Sequence, residues 1–199
     1  MGIVVTSVHL AGVAVVALLS ENFILVNCLG IGTHTRAFED AAQARRTGLA
    51  LTMGMVLTTL LCWLADNLVL IPLGWTWLRT LLFTLLSLLS LCLIQHGLRL
   101  FIPELYRRLK DILPGIAANC AVLGAAFLVS QRSYTLGAAL LYALFGGVGA
   151  TVVLMSYAGL REDVGFESCP RAFRGAPISL ITAGLMALAL VGFYGLQIA

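Results

Sequence analysis

The sequence predicts an all-α integral membrane protein with six transmembrane helices, and three observations predict it. Charged residues make up 11% of 199 positions and hydrophobic residues 60%, with a mean hydropathy of +1.01. A soluble domain carries about 25% charge, because its surface must meet water. Second, no charge occurs in 1–20, 47–65, 80–98, 112–131, 133–160 or 175–199, and about 20 apolar residues in a helix cross about 30 Å of hydrocarbon. Third, these windows are continuous runs rich in Leu, Ala, Val and Gly, without the polar–apolar alternation of barrel strands, so helices must satisfy the backbone in lipid. The same composition excludes a disordered chain, a secreted disulfide scaffold and a nucleic-acid-binding domain. The net charge of +3 is too small to argue for a polyanionic partner. The expected surroundings are the lipid bilayer, with no nucleic acid.

Taken in order, window 1–20 lacks a basic leading region and runs into further apolar sequence, so it reads as a retained span rather than a signal peptide. The polar break Ser20-Glu21-Asn22 before Phe23–Ile31 predicts a broken first helix, tolerated only inside protein or along a cavity. Glu21 suits a cap on the second half of that helix, with ion binding as the alternative. The second span, 47–65, ends at Asp66-Asn67, which reads as an interfacial position rather than a buried ion site. The third, 80–98, ends at His96 beside Arg99, also interfacial. The fourth, 112–131, contains Asn119-Cys120, an echo of Asn27-Cys28 near the first. With three spans per half, a duplicated unit would be inserted upside down, and helix breaks at matching places in such halves point to a midplane site. Chance recurrence of Asn-Cys is the alternative reading. Spans 133–160 and 175–199 complete the set. The connections are all short, the longest being 161–176, so the chain is read as a single membrane domain over 1–199.

Basic residues orient the spans. Arg36, Arg45, Arg46, Arg99, Arg107, Arg108, Lys110, Arg161, Arg171 and Arg174 fall on the odd-numbered connections, whereas the even ones hold only Arg79 and Arg132. The positive-inside rule then places the odd connections in the cytoplasm and both termini on the periplasmic or outer side. Arg99, Arg107, Arg108 and Lys110 together form a topology anchor for the anionic inner leaflet.

Candidate chemistry rests on five cysteines, none in a Cys-x-x-Cys pair. Cys62 and Cys92 lie within apolar spans, where a thiol acts as a small hydrophobe, and Cys169 precedes Pro170 in a cytoplasmic connection. Cys28 and Cys120 stand apart because both follow Asn near a helix break. Two thiolates are half of what a [2Fe–2S] cluster needs, so a second chain would have to supply the rest.

Longer strings carry a resemblance. Leu113-Pro114-Gly115-Ile116-Ala117-Ala118-Asn119-Cys120-Ala121-Val122-Leu123-Gly124 resembles the fourth-helix motif of the RnfA/NqrE family, and Phe173-Arg174-Gly175-Ala176-Pro177-Ile178-Ser179-Leu180-Ile181-Thr182-Ala183-Gly184-Leu185-Met186 resembles its sixth helix. Leu70-Ile71-Pro72-Leu73, Leu78-Arg79-Thr80, Leu105-Tyr106-Arg107 and Arg161-Glu162 add to it over nearly the whole chain. Leu70 to Thr80 is more similar to RnfA, Gln131-Arg132-Ser133-Tyr134 and Glu21-Asn22 more similar to NqrE, and the balance favours RnfA. The resemblance implies six helices in two inverted three-helix repeats, about 1–100 and 101–199, with broken first and fourth helices and both termini periplasmic in a bacterial inner membrane. It implies a [2Fe–2S] cluster shared with a homologous RnfE- or NqrD-like subunit, each chain giving two cysteines. It further implies the Rnf subunits RnfB, RnfC, RnfD and RnfG as partners, and electron transfer coupled to Na+ or H+ movement. The chain is then a subunit of an ion-translocating ferredoxin:NAD oxidoreductase, not catalytic alone.

Cys120 matches one ligand position of the family. At the other, the usual Leu-Gly-x-Cys reads Leu29-Gly30-Ile31-Gly32, so Gly32 occupies the cysteine position. Cys28 lies four residues earlier, about 6 Å along a helix axis, and is the second candidate. His34 is a third, as a nitrogen ligand of the Rieske kind. Thr33 to Asp40 replaces a small, basic stretch of the family, and Leu98 stands where its third helix often has an acidic residue. The competing expectations are an NqrE-like subunit, a structural subunit that has lost its cluster, and a small secondary carrier with Glu21 and Asp66 in an ion path.

Overall fold

The computed structural model describes residues 41–101, 103–109, 113, 119–163 and 176–191, and every element among them is helical. Helix α1 (Ala41–Ala65) contains the charge-free window 47–65 and runs on through one widened π turn, Asp66–Leu70, into Ile71–Leu73. Pro72 has no N–H to give, and its ring crowds the carbonyl one turn back. The turn ahead of it is spread, with Ile71 N–H bonded to the Asp66 carbonyl. The helix then stops by a Schellman motif: Gly74 takes the left-handed conformation (φ 70°), Trp75 N–H reaches the Leu70 carbonyl and Gly74 N–H the Ile71 carbonyl.

Helix α2 (Arg79–Phe101) follows a short 3-10 turn at Thr76–Leu78, and α3 (Pro103–Leu109) continues from it. Helix α4 (Cys120–Gln131) is only 12 residues long and begins at an extended Asn119. It ends in a second Schellman motif, with Tyr134 N–H on the Val129 carbonyl and Ser133 at φ 50°. Helix α5 (Leu136–Asp163) and α6 (Ala176–Val191) complete the described chain. Residues 42–73, 79–100 and 136–160 are long and apolar enough to cross a membrane, and 120–131 and 180–189 form shorter apolar helices. The expected span 1–20, the break at Ser20–Asn22 and the connection 164–175 lie outside the described residues.

The centre of the bundle is the contact of α1 with α5, joined by α4 and α2. Along α1 the buried positions Ala44, Thr47, Leu51, Met55, Thr58 and Cys62 recur every three or four residues, the stripe expected of a helix with one face packed. Leu49, Met53 and Leu64 on the other face are exposed, as apolar residues facing lipid would be. Glycines let α1 and α5 approach. A Cβ on Gly48 would fall onto the Thr151 side chain, and one on Gly147 onto Thr52. Each threonine hydroxyl donates to the carbonyl of the glycine four residues before it (2.8 Å), and the two hydroxyls lie 3.4 Å apart. Gly48-x-x-x-Thr52 thus meets Gly147-x-x-x-Thr151 head to tail.

The two ends of the bundle differ in charge. Asp66 to Arg79 and Arg132 to Leu136 share one end, tied by side-chain hydrogen bonds. Arg45 and Arg46 at the start of α1, Arg99 in the last turn of α2, Arg107 on α3 and Arg161 in the last turn of α5 occupy helix positions at the other. Leu109 and Leu113 pack into the core with Ala44 there.

Candidate functional site

The site is built on the half-length helix α4. Asn119 is 1% exposed and its side-chain oxygen accepts the Ala121 N–H at 2.9 Å, while its own carbonyl accepts the Val122 N–H at 3.1 Å. An extended residue whose side chain satisfies a first-turn donor is an N-cap, and this one starts the helix at Cys120. The break expected in the fourth span therefore has a local cause in Asn119. Cys120 is a free thiol and exposed on the surface of the bundle. The partial positive charge of a helix start favours an anionic group beside it.

Helix α4 buries Ala121, Val122, Ala125, Ala126 and Val129. Ala126 packs in a small cluster with Cys62 of α1 and Phe83 of α2, and the Phe83 and Phe127 rings stand 5.2 Å apart. At the far end, Ser130 donates to Asp66 Oδ2 at 2.5 Å, and Arg79 Nε donates to Asp66 Oδ1 at 3.0 Å. Trp63 Nε1 donates to the Tyr134 carbonyl at 2.9 Å, just past the helix. Asp66 is 4% exposed. The sequence suggests an end-of-span Asp66 rather than a buried ion site; the carboxylate lies at the end of α1, buried in protein, where Arg79 neutralises it and Ser130 satisfies it. A cavity of about 100 Å³ opens beside this hub, lined among others by Asp66, Arg79, Ser130 and Tyr134. Trp75 and Trp77, 49% and 79% exposed, flank the same end of the bundle, where indole rings anchor at a membrane–water boundary. From Gln131 back to Cys120 the helix rises about 16 Å at 1.5 Å per residue.

Of the residues singled out from sequence, Cys28, Gly32, Glu21, His34 and Cys169 lie outside the described residues. Cys62 is buried and Cys92 exposed on α2, both free. His96 is exposed in the last turns of α2, and Leu98 is buried in the main core. No group of three or more His, Cys, Asp or Glu placed to hold a metal ion occurs among the described residues. A [2Fe–2S] cluster takes four ligands. An exposed thiol at a helix start fits as one of them, and the other three would have to come from outside the described residues. The Asp66 hub has only a faint signal in the sequence: Arg79 is one of two basic residues on the even connections, and Asp66 is the nearest acid to it.

The chain is similar to known proteins over nearly its whole length. Residues 10–197 match the family described as "Rnf-Nqr subunit, membrane protein". A Syntrophotalea carbinolica protein is 40% identical over 180 residues, covering 90% of this chain and 93% of its own. One from Edwardsiella ictaluri is 38% identical and one from Shigella flexneri serotype 5b 40% identical, each over 178 residues, 89% of this chain and 92% of the relative. All three bear the name of the A component of an ion-translocating oxidoreductase complex.

Proposed function

The chain belongs to the Rnf-Nqr family of membrane subunits, and on that premise we propose that it carries electrons through the membrane layer of an Rnf-type ion-translocating ferredoxin:NAD oxidoreductase. The observation that carries the reading is Cys120, an exposed thiol at the capped start of a half-length helix. If the tryptophan-flanked hub marks one boundary of the bilayer, about 16 Å of helix puts Cys120 close to the middle of about 30 Å of hydrocarbon. Cys120 and Cys28 would hold the iron of a [2Fe–2S] cluster with two cysteines of a homologous RnfE-like subunit. When bound, the group supplies a one-electron carrier. The chain's own part is to hold the thiols, to keep water out with the packed α1–α5 core, and to present the open side of Cys120 to the partner. RnfB, RnfC, RnfD and RnfG, or their counterparts, complete the assembly.

Six spans in two inverted repeats, about 1–100 and 101–199, accommodate the reciprocal Gly48/Thr52 and Gly147/Thr151 contact, whose members are offset by 99 residues. In a bacterial inner membrane the arginine-rich end faces the cytoplasm, and the Asp66 end and both termini face the periplasm. Gly32 at the usual cysteine position favours a second reading, a structural subunit that keeps the fold and its contacts without the cluster.

Coupling separates this function from that of an independent carrier. Proteoliposomes holding the purified complex are expected to accumulate Na+ or H+ only when reduced ferredoxin and NAD are both supplied. Ion movement by the isolated chain without any electron donor would overturn the proposal.

A further inference from the structure

We infer that Asp66, acting through Ser130, is a positioning residue for Cys120: it sets how far α4 is seated along its own axis, and so where the thiol stands. The inference rests on the reading of Cys120 as a cluster ligand. The fully buried positions of α4 are Ala121, Val122, Ala125, Ala126 and Val129, all small, and its longer side chains Leu123, Phe127 and Leu128 pack only half-buried at their margins. Such a face packs closely but leaves sliding weakly opposed, and packed helices shift by about 1–2 Å in known transitions. Axial placement therefore falls to the ends. At the Cys120 end, the bonds of Asn119 among the described residues are to the helix it caps. At the other end the ties reach other helices: Ser130 to Asp66 of the widened turn at 2.5 Å, and Tyr134 to Trp63 of α1 at 2.9 Å.

Asp66 is itself held by Arg79 at the head of α2. One carboxylate thus fixes three segments at one point, and a hydrogen-bonded helix passes displacement along its length with little loss. The Phe83–Phe127 contact ties α4 to α2 about one turn before Ser130. Loosening Ser130 would let the half-helix move as a rod, and the thiol with it.

The test uses the whole complex with Ser130→Ala, Ser130→Thr and Asp66→Asn. Ser130→Ala removes one hydroxyl and leaves the ion pair, so folding survives; Ser130→Thr keeps the hydroxyl. The expected result is an intramembrane [2Fe–2S] signal of unchanged intensity but shifted g-values and midpoint potential in Ser130→Ala and Asp66→Asn, restored in Ser130→Thr. Alongside it, the rate at which Cys120 reacts with a maleimide after chelation of iron is expected to change several-fold in Ser130→Ala and to return in Ser130→Thr. Wild-type signal, potential and labelling rate in both disrupting variants would overturn the inference. A wild-type complex without the cluster would instead refute the ligand reading, and the labelling rates would still decide whether the hub seats α4.

Discussion

Arg79→Ala is expected to destabilise the bundle by about 3 kcal/mol, and more than Asp66→Ala at about 2 kcal/mol. Breaking a buried pair costs most when the partner left behind is the one that cannot reach water. The side chain of Asp66 is 6% exposed and that of Arg79 27%. Without Arg79, the Ser130 hydroxyl is the one side-chain donor left to the buried carboxylate among the described residues. Without Asp66, the guanidinium turns into the adjoining cavity and finds solvent, which lessens the loss. Groups in contact do not contribute independently. The double variant is therefore expected to fall short of the summed single effects by about 2 kcal/mol. Unfolding in detergent micelles, followed by helical circular dichroism, orders the three variants. Equal losses in both single variants with simple addition in the double would mean that the pair stands apart in solvent.

Gly147→Ala is expected to cost about 2–3 kcal/mol, and Gly147→Leu to prevent accumulation of the folded chain. The Thr52 Cα, Cγ2 and Oγ1 all lie 2.8 Å from a Cβ there, and a helix backbone does not yield as a side chain does. The helices must separate, which breaks the approach of Thr52 to Thr151 at the centre of the core. Gly48→Ala meets the Thr151 side chain, including its Cβ at 2.7 Å, which does not move when the side chain rotates. The helices must separate there as well, and a comparable loss of about 2–3 kcal/mol is expected. Gly97, with open space around it in α2, is the control. Alanine there is expected to be neutral or to stabilise by up to about 1 kcal/mol. The same unfolding assay distinguishes backbone collision at the α1–α5 crossing from a general intolerance of helix substitution.

Much of the fold is legible in the sequence because lipid solubility and helix length are properties of contiguous residues. The charge-free windows 80–98 and 133–160 coincide with α2 and α5 to within three residues, 47–65 lies inside α1, which starts six residues earlier, and α6 opens at Ala176, one residue into the last window. The break in the fourth helix is implied by the family resemblance alone, and the Asn119 cap that starts the half-length helix at Cys120 emerges only in the structure. What is not legible depends on residues far apart in sequence. Asp66 reads as the end of a span, because a lone carboxylate between apolar stretches belongs at a boundary. Its neutralisation needs Arg79, 13 residues on, and Ser130, 64 residues on. The glycine–threonine crossing pairs residues 99 apart, and nothing local in Gly48 or Gly147 announces a partner. At the candidate site only Cys120 is legible from its own neighbourhood. Cys28, on which the second ligand rests, lies outside the described residues.

Whether the Cys120 thiol holds iron decides the electron-carrying role. The most direct measurement is electron paramagnetic resonance with iron quantification on the complex carrying Cys120→Ser, beside wild type and Cys28→Ser. A [2Fe–2S] signal is predicted in wild type and its loss in Cys120→Ser, with iron lower by one cluster's share while the complex remains assembled. Cys28→Ser is predicted to behave in the same way. An unchanged signal and iron content in Cys120→Ser would contradict the assignment of that thiol as a ligand, and with it the proposed route of the electron.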